Sequence, residues 1–191
     1  MPEPRGRAPS HASPSSRGAW LTIDVVEDAG DWTWLTRASD LATAAAGALA
    51  SHPRFAAANA AEACLALSDG ATVRTLNRTY RGKDKPTNVL SFPASAGTAA
   101  GGKAAPCPLG DIVLAAETVR REAEEQGLSP EHHFQHLVVH GLLHLLGLDH
   151  ETEAEAEAME GLEIEILATL GIGDPYASAG PAGALEARGA P

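Results

Sequence analysis

Residues 140–150 read HGLLHLLGLDH, a stretch that predicts a helix ending in a turn. Residues four apart lie on one face of a helix, so His140 and His144 can point at a single ion. Gly147 suits the left-handed conformation that ends a helix and reverses the chain, which returns His150 toward the same point. We therefore predict a metal site with three histidine ligands. Three neutral nitrogen ligands and an open fourth position are typical of catalytic zinc.

The same histidine spacing occurs in the zinc signature of metzincin proteases. In that signature a glutamate, the general base, directly follows the first histidine, whereas this chain has Gly141. A water molecule bound to the metal would have to lose its proton in another way. A metalloprotease or another amide hydrolase stays open as an alternative, because spacing alone permits it.

The neighbouring histidines need an interpretation of their own. Six of the eight histidines lie in residues 132–150, and a repeat of four residues runs from His132 to His144, so other ligand pairs are possible on spacing alone. His136 and His144 would be roughly 12 Å apart along the axis, too far for one ion. We expect His136 to line the pocket or bond a ligand. We expect His132 and His133 to lie at a solvated helix start.

Length and composition predict one domain between two tails. A chain of 191 residues fits a single domain, which we place at 19–176, with disordered tails at 1–18 and 177–191. The two cysteines are too few for a disulfide scaffold and favour a cytoplasmic setting. The chain has no run of about 18 apolar residues, so we expect no membrane partner.

Charge is distributed unevenly along the chain. The net charge is −11, which argues against a broadly basic surface, and we expect no DNA partner. Seven acids lie in residues 151–165, where a solvated helix face is the simplest interpretation. Residues 71–90 hold a single acid, Asp84, and five cations: Arg74, Arg78, Arg81, Lys83 and Lys85. Such a patch is sufficient to engage phosphates, although ordinary solvated charge is the plainer alternative.

Periodicity predicts an α+β fold. Strands are expected at 21–26, 63–67, 88–92 and 109–114, with a mobile loop at 94–107. Helices are expected at 32–49, 70–80 and 115–126. A further helix, which carries the histidines, is expected to begin at residue 130, and the last one to run from 151 to about 170. We therefore predict a single α+β domain with one mixed sheet of about four strands covered by helices, and the metal site on a helix and the turn after it.

Two blocks of the sequence carry a family resemblance. The first is LNRTYRGKDKPTNVLSFP at 76–93, followed by LGDI at 109–112, and the second is the histidine stretch with the later DPY at 174–176. Together they resemble the YbeY family of bacterial endoribonucleases. The resemblance covers roughly residues 20–176, and two long motifs in this order are hard to produce by chance.

The resemblance implies a zinc-dependent hydrolase that cleaves single-stranded RNA. It also implies ribosomal RNA processing, especially at the 3′ end of the small-subunit RNA, ribosome quality control, and the ribosome or its small subunit as a partner. The family's ligands for one zinc ion fall on His140, His144 and His150, and its functional arginine falls on Arg81. The family also lacks the glutamate, so Gly141 does not weaken the assignment.

The residues suggest a mechanism. Zinc held by three imidazoles can lower the pKa of bound water to about 7. The charge that develops on an attacked phosphodiester calls for a cation, and the planar fork of Arg81 can grip two phosphate oxygens. Our hypothesis is that zinc-activated water attacks phosphorus while Arg81 clamps the phosphate. Lys83 and Lys85 would guide the strand.

Several side chains have two interpretations at this stage. Asp111 and Asp149 could shuttle protons or bond the histidines, but structural roles at a loop and a turn are favoured. Tyr80 and Phe92 could stack on bases, but core packing is favoured. A ribosome assembly factor with structural zinc would need a fourth protein ligand such as Cys107.

Overall fold

The computed structural model describes residues 20–95 and 106–177, which fold into one four-stranded mixed sheet and five α-helices. The strands are β1 (Leu21–Glu27), β2 (Ala61–Ser68), β3 (Val89–Pro93) and β4 (Cys107–Ala115). The helices are α1 (Ala38–Ser51), α2 (Gly70–Arg81), α3 (Ala116–Gln126), α4 (Pro130–Leu145) and α5 (Glu153–Thr169), with a short 3₁₀ helix at Pro53–Phe55. The predicted α+β class is confirmed. Of the predicted tails and loop, residues 1–18, 96–105 and 178–191 lie outside the described residues.

The sheet has the order β1-β2-β4-β3. β1 and β4 both run parallel to β2, whereas β3 runs antiparallel to β4 at the edge. The two central strands therefore carry the most apolar sequence, with Leu65 opposite Ile112 and both fully buried. This arrangement places β3 beside the histidine helix α4.

The two faces of the sheet are covered by different helices. On β4, Ile112 and Leu114 belong to the larger core, which α1, α4 and α5 complete. Val113 lies on the opposite face, as the two-residue period of a strand requires, and packs with Val73 of α2 and Leu90 of β3. The sheet is thus the middle of three layers.

α4 is the most deeply buried helix near the site. Pro130 occupies its first turn, where a missing N–H leaves no hydrogen bond unmade. From His133 onward most of its residues are buried, and Gly141 faces the side chain of Ile112 on β4. The close approach of helix and sheet holds the histidines of α4 in a rigid frame.

Several element boundaries differ from the predicted ones, and two of these differences have a clear physical cause. α1 begins at Ala38 rather than at residue 32, because the preceding segment forms turns instead: Asp31 accepts hydrogen bonds from the N–H and hydroxyl of Thr33. The Trp32 indole donates to the Ser68 carbonyl and fixes that segment against β2. β4 begins at Cys107, inside the predicted loop, because Cys107 pairs with Ala61.

The last helix begins with a capping box. The Thr152 hydroxyl accepts from the Glu155 N–H, and the Glu155 carboxylate accepts from the Thr152 N–H.

Within the described part of the chain, no helix combines the length and the apolar character needed to cross a bilayer.

Candidate metal centre

α4 and the turn after it bring three histidines together. His140 and His144 lie one turn apart, and their Nε2 atoms are 3.1 Å from each other. Gly147 then adopts a φ of +84°, and its N–H donates to the His144 carbonyl, which ends the helix and reverses the chain. His150 follows this turn. One ligand atom from each of the three histidines lies within 4.8 Å of the others, so the group could hold a metal ion.

Hydrogen bonds at Nδ1 determine which nitrogens face the centre. His140 Nδ1 donates to Glu163 Oε1 across 2.8 Å, and His144 Nδ1 donates to the Leu148 carbonyl across 3.0 Å. Because Nδ1 carries the proton in each neutral ring, Nε2 carries a lone pair. Two lone pairs that face each other at 3.1 Å repel unless a positive charge lies between them. The donor set therefore fits a metal cation.

Burial keeps His144 in the neutral form that a metal requires. The pKa of His144 is lowered to about 4, chiefly by desolvation and then by the neighbouring His140 and His150, whereas Asp149 and the hydrogen bond to the Leu148 carbonyl raise it. The ring is consequently uncharged at neutral pH. A metal ion would not need to displace a proton from it.

Glu163 is a buried carboxylate at the base of this group. Its side chain on α5 is fully buried, and Oε1 accepts from His140 Nδ1. Oε2 accepts from His136 Nε2 across 2.9 Å and from the hydroxyl of Tyr176. Burial opposes ionisation, but the hydrogen bonds from the two histidines outweigh it and lower the pKa of Glu163. The carboxylate therefore remains charged in the interior.

This position of Glu163 corrects the interpretation of residues 151–165 as a solvated acidic face. Most acids in that run are exposed, but Glu163 is not. The sequence carries a signal for this burial: Glu163 lies four residues after Met159 and three before Ile166, which are both buried on the apolar stripe of α5. A charge inside an apolar stripe indicates a buried partner.

The other histidines of α4 divide into two groups. His136 bonds Glu163, a carboxylate that also bonds His140, so it is linked to a candidate ligand through that carboxylate and not directly, as had been expected. His132 is exposed, as predicted for a helix start. His133 was expected to be solvated beside it, and this is wrong. Its side chain is buried and bonds Glu122 of α3 across 3.0 Å, because α3 packs along this end of α4.

A cleft of about 630 Å³ lies in front of the three histidines. Its lining includes the three histidines and four cationic side chains, which are Arg81, Lys83, Lys85 and Arg121. Arg81 ends α2, and its Nη2 donates to the Ser91 carbonyl across 3.3 Å, while the Ser91 hydroxyl donates to the Gly141 carbonyl. Arg81 and the histidines thus line the same cleft, with Ser91 of β3 between them.

Tyr80 and Arg74 are two side chains of α2 that differ in their surroundings. The Tyr80 side chain lines the cleft and is 68% exposed, so the expectation that it packs in the core is wrong. Its ring meets that of Phe92 edge on, with centroids 5.3 Å apart. Arg74 pairs with Asp84 across 2.7 Å on the surface.

The remaining candidates have structural positions. Asp149 Oδ1 accepts from the His150 N–H across 2.9 Å, as favoured for a turn residue, and lies 4.0 Å from His144 Nδ1. Asp111 lies within β4 and not at a loop as expected, and it pairs with Phe92 of β3. Cys107 is an exposed free thiol, and among the described residues the candidate ligand group contains only the three histidines.

Fold and site together define a small α+β protein with a three-histidine candidate metal centre beside a cleft that cations line. Residues 34–171 match the family model described as "Endoribonuclease YbeY". The chain therefore belongs to the endoribonuclease YbeY family.

Several proteins named Endoribonuclease YbeY are similar to this chain over most of its length. An "Endoribonuclease YbeY" of Azorhizobium caulinodans is 50% identical over 157 residues, which cover 82% of this chain and 97% of the relative. One from Rhodopseudomonas palustris strain HaA2 is 49% identical and covers 88% of both chains. Another, from strain BisA53, is 62% identical over 61% of this chain and 68% of its own. A solution structure from Thermotoga maritima matches with a TM-score of 0.48 and 22% identity, over 78% of this chain and 91% of that one.

Proposed function

We propose that the chain is a zinc-dependent endoribonuclease that cleaves single-stranded RNA. The observation that carries the proposal is the convergence of His140, His144 and His150 at a cleft that Arg81 also lines. Membership of the endoribonuclease YbeY family supports RNA as the substrate. The role we propose is ribosomal RNA processing at the 3′ end of the small-subunit RNA and ribosome quality control, with the ribosome or its small subunit as partner.

Zinc is the metal that we propose for the donor set. Imidazole nitrogens suit nickel, copper and iron as well as zinc, but three such ligands with a position open for water or substrate are typical of catalytic zinc. When bound, the ion would supply a water molecule whose pKa is about 7 as the nucleophile. His140, His144 and His150 would hold it, and the Nδ1 bonds of His140 and His144 would keep their Nε2 lone pairs directed at it.

The cleft suits a nucleic-acid strand. Arg81 can donate two parallel hydrogen bonds to a phosphate, and the negative charge that develops during attack strengthens that interaction. Lys83 and Lys85 would attract neighbouring phosphates, and the exposed ring of Tyr80 would stack on a base. This accounts for cations and an exposed aromatic ring in one cleft of an acidic protein.

A protease function is disfavoured by the surroundings of Gly141. Gly141 faces Ile112 where α4 packs on the sheet. A glutamate side chain at this position would not fit and so could not act as the general base. A purely structural zinc is disfavoured because no fourth protein ligand joins the group among residues 20–95 and 106–177. We also propose a cytoplasmic location, which the two free thiols favour.

The test is cleavage of a labelled single-stranded RNA by protein of measured zinc content, beside a casein-type peptide substrate. We expect RNA cleavage that follows the zinc content and disappears in His144→Ala, with no peptide cleavage. His132→Ala is the matched control, because His132 is an exposed histidine of the same helix outside the group. Peptide cleavage, or RNA cleavage that survives in His144→Ala, would refute the proposal.

A further inference from the structure

Glu163 needs a physical explanation because a polar group buried without partners is unfavourable. Its side chain is fully buried, and three groups bond its two carboxylate oxygens. Such an arrangement persists only when every oxygen has a good donor. The three donors here are His136, His140 and Tyr176, and His140 is one of the three candidate metal ligands.

We propose that Glu163 is a positioning residue that holds His140 ready to bind the metal ion. This inference rests on the proposed metal-dependent function. Oε1 accepts the Nδ1 proton of His140 across 2.8 Å, so the lone pair of that ring must lie on Nε2, which faces His144. A carboxylate in this place fixes the tautomer and orientation of the ring and makes it a better electron donor to a metal.

The other oxygen of Glu163 keeps the carboxylate itself in place. His136 Nε2 lies 2.9 Å from Oε2, and the Tyr176 hydroxyl donates to the same oxygen. His136 lies one turn before His140 on α4, while Tyr176 follows α5. Because these two hydrogen bonds hold Oε2, the carboxylate keeps one orientation, and Oε1 stays directed at His140.

His144 is positioned differently, which makes the role of Glu163 specific. Its Nδ1 donates to the Leu148 carbonyl, a main-chain group of the turn itself. The tautomer of His144 therefore follows from the helix end, whereas that of His140 depends on a side chain from another helix. A substitution at Glu163 should affect one ligand and leave the geometry of the other intact.

The chain contains a matched control for this role. Glu122 of α3 bonds His133 of α4 across 3.0 Å, so it is a second carboxylate that bonds a buried histidine of the same helix. His133 does not belong to the candidate ligand group. Loss of Glu122 should therefore disturb packing on α4 without changing the affinity for a metal.

The experiment compares zinc affinity in wild-type protein, Glu163→Gln and Glu122→Gln, measured by competition with a chromophoric chelator on metal-free protein. Circular dichroism and thermal unfolding of each metal-free protein establish that it is folded. We expect Glu163→Gln to bind zinc about 10- to 100-fold more weakly, and Glu122→Gln to bind like the wild type. Equal affinity of wild type and folded Glu163→Gln would overturn the inference, as would equal losses in both variants.

A second measurement needs no variant and decides the matter if Glu163→Gln does not fold. Long-range proton–nitrogen NMR spectra of zinc-loaded wild type report which nitrogen of His140 carries the proton. We expect a protonated Nδ1 with a strongly deshielded proton and a metal-bound Nε2. A metal-bound Nδ1 would overturn the inference.

The two proposals fail in different ways. Wild-type protein that binds no zinc would refute the proposed function and this inference with it. Wild-type protein that binds zinc and cleaves RNA, beside a folded Glu163→Gln of equal zinc affinity, would refute only the positioning role.

Discussion

A Cβ atom added to Gly141 would lie 2.9 Å from both Cδ1 and Cγ2 of Ile112. The absence of a side chain at this position therefore lets α4 lie directly on β4. The residue that differs from the protease signature is thus part of the packing between helix and sheet.

We predict that Gly141→Ala lowers the free energy of unfolding. Overpacking of a filled core destabilises by about 1–3 kcal/mol, more than the gain of about 0.5–1 kcal/mol that alanine brings to a helix. Urea unfolding measures the difference. Gly161→Ala on α5 is the control, because its added Cβ meets nothing within 4 Å and the substitution should stabilise. A stabilised Gly141→Ala would contradict the prediction.

We predict that Gly147→Ala weakens metal binding as well as stability. Its φ of +84° is strained for an L residue, by roughly 1–2 kcal/mol, although nothing would clash with the added atom. Relief of that strain would move His150 away from His140 and His144. Zinc titration and urea unfolding check both effects, and Gly147→Asn should lose less because asparagine tolerates this conformation better. An unchanged zinc affinity in Gly147→Ala would oppose this view of the turn.

We predict that Arg81→Lys resembles Arg81→Ala in RNA cleavage. Lysine keeps the charge but cannot donate two parallel hydrogen bonds to one phosphate, so kcat should fall by about 10²–10³ in both variants. Zinc content should not change, because Arg81 is not among the candidate ligands. Single-turnover cleavage of labelled RNA measures the rates. Full activity in Arg81→Lys would show that charge alone is sufficient.

We predict that Tyr80→Ala weakens binding of single-stranded RNA whereas Tyr80→Phe does not. A stacked base contributes about 1–3 kcal/mol, and phenylalanine retains the ring. Fluorescence anisotropy with a metal-free protein measures affinity separately from cleavage. The side chain is 68% exposed, so the free energy of unfolding should change little. Equal RNA affinities of Tyr80→Ala and wild type would exclude stacking.

We predict that Asp69 contributes stability that depends on pH. Its Oδ1 accepts from the Thr72 N–H across 2.7 Å at the start of α2, and this bond, with the Thr72 hydroxyl, lowers the pKa of Asp69. A lowered folded-state pKa means that the contribution is complete above the unfolded value of about 3.9 and is lost as pH falls through the folded value. Asp69→Ala should cost about 0.5–2 kcal/mol at pH 7.

The control for this pH dependence is Asp69→Asn, which keeps a capping oxygen but does not titrate. The difference in urea stability between wild type and Asp69→Ala should shrink below pH 4, as the carboxylate of Asp69 is protonated. The difference between Asp69→Asn and Asp69→Ala should stay constant over the same range. A pH-independent difference for the wild type would contradict the prediction.

The features that could be predicted from sequence are those determined by local spacing. His140, His144 and Gly147 lie within one helix end, where a repeat of four and a left-handed glycine determine the geometry. The features that were missed depend on contacts between distant segments. Glu163 and His133 are buried because α5 and α3 pack on α4; the apolar stripe of α5 indicates that Glu163 is buried, but it does not identify His140 as its partner.

The same difference between local and long-range interactions explains the errors in the start of α1 and in the burial of Tyr80. The start of α1 was predicted too early because alanine-rich sequence suits a helix, whereas the Trp32 indole bonds the Ser68 carbonyl 36 residues away. Tyr80 was expected in the core because aromatic residues make up only 4% of the chain, but the end of α2 leaves its ring at the cleft. Each error arises where the tertiary structure, by making a contact or by leaving a side chain exposed, outweighs a local sequence preference.

The bond between Tyr176 and Glu163 has a consequence for the order in which the protein is made. His150, the last of the three candidate ligands, is added to the growing chain before Glu163 and Tyr176. A nascent chain therefore contains every ligand before it contains the groups that hold His140. On the positioning inference, a chain terminated between residues 150 and 163 would bind metal poorly, because it contains all three candidate ligands but not the carboxylate that holds His140.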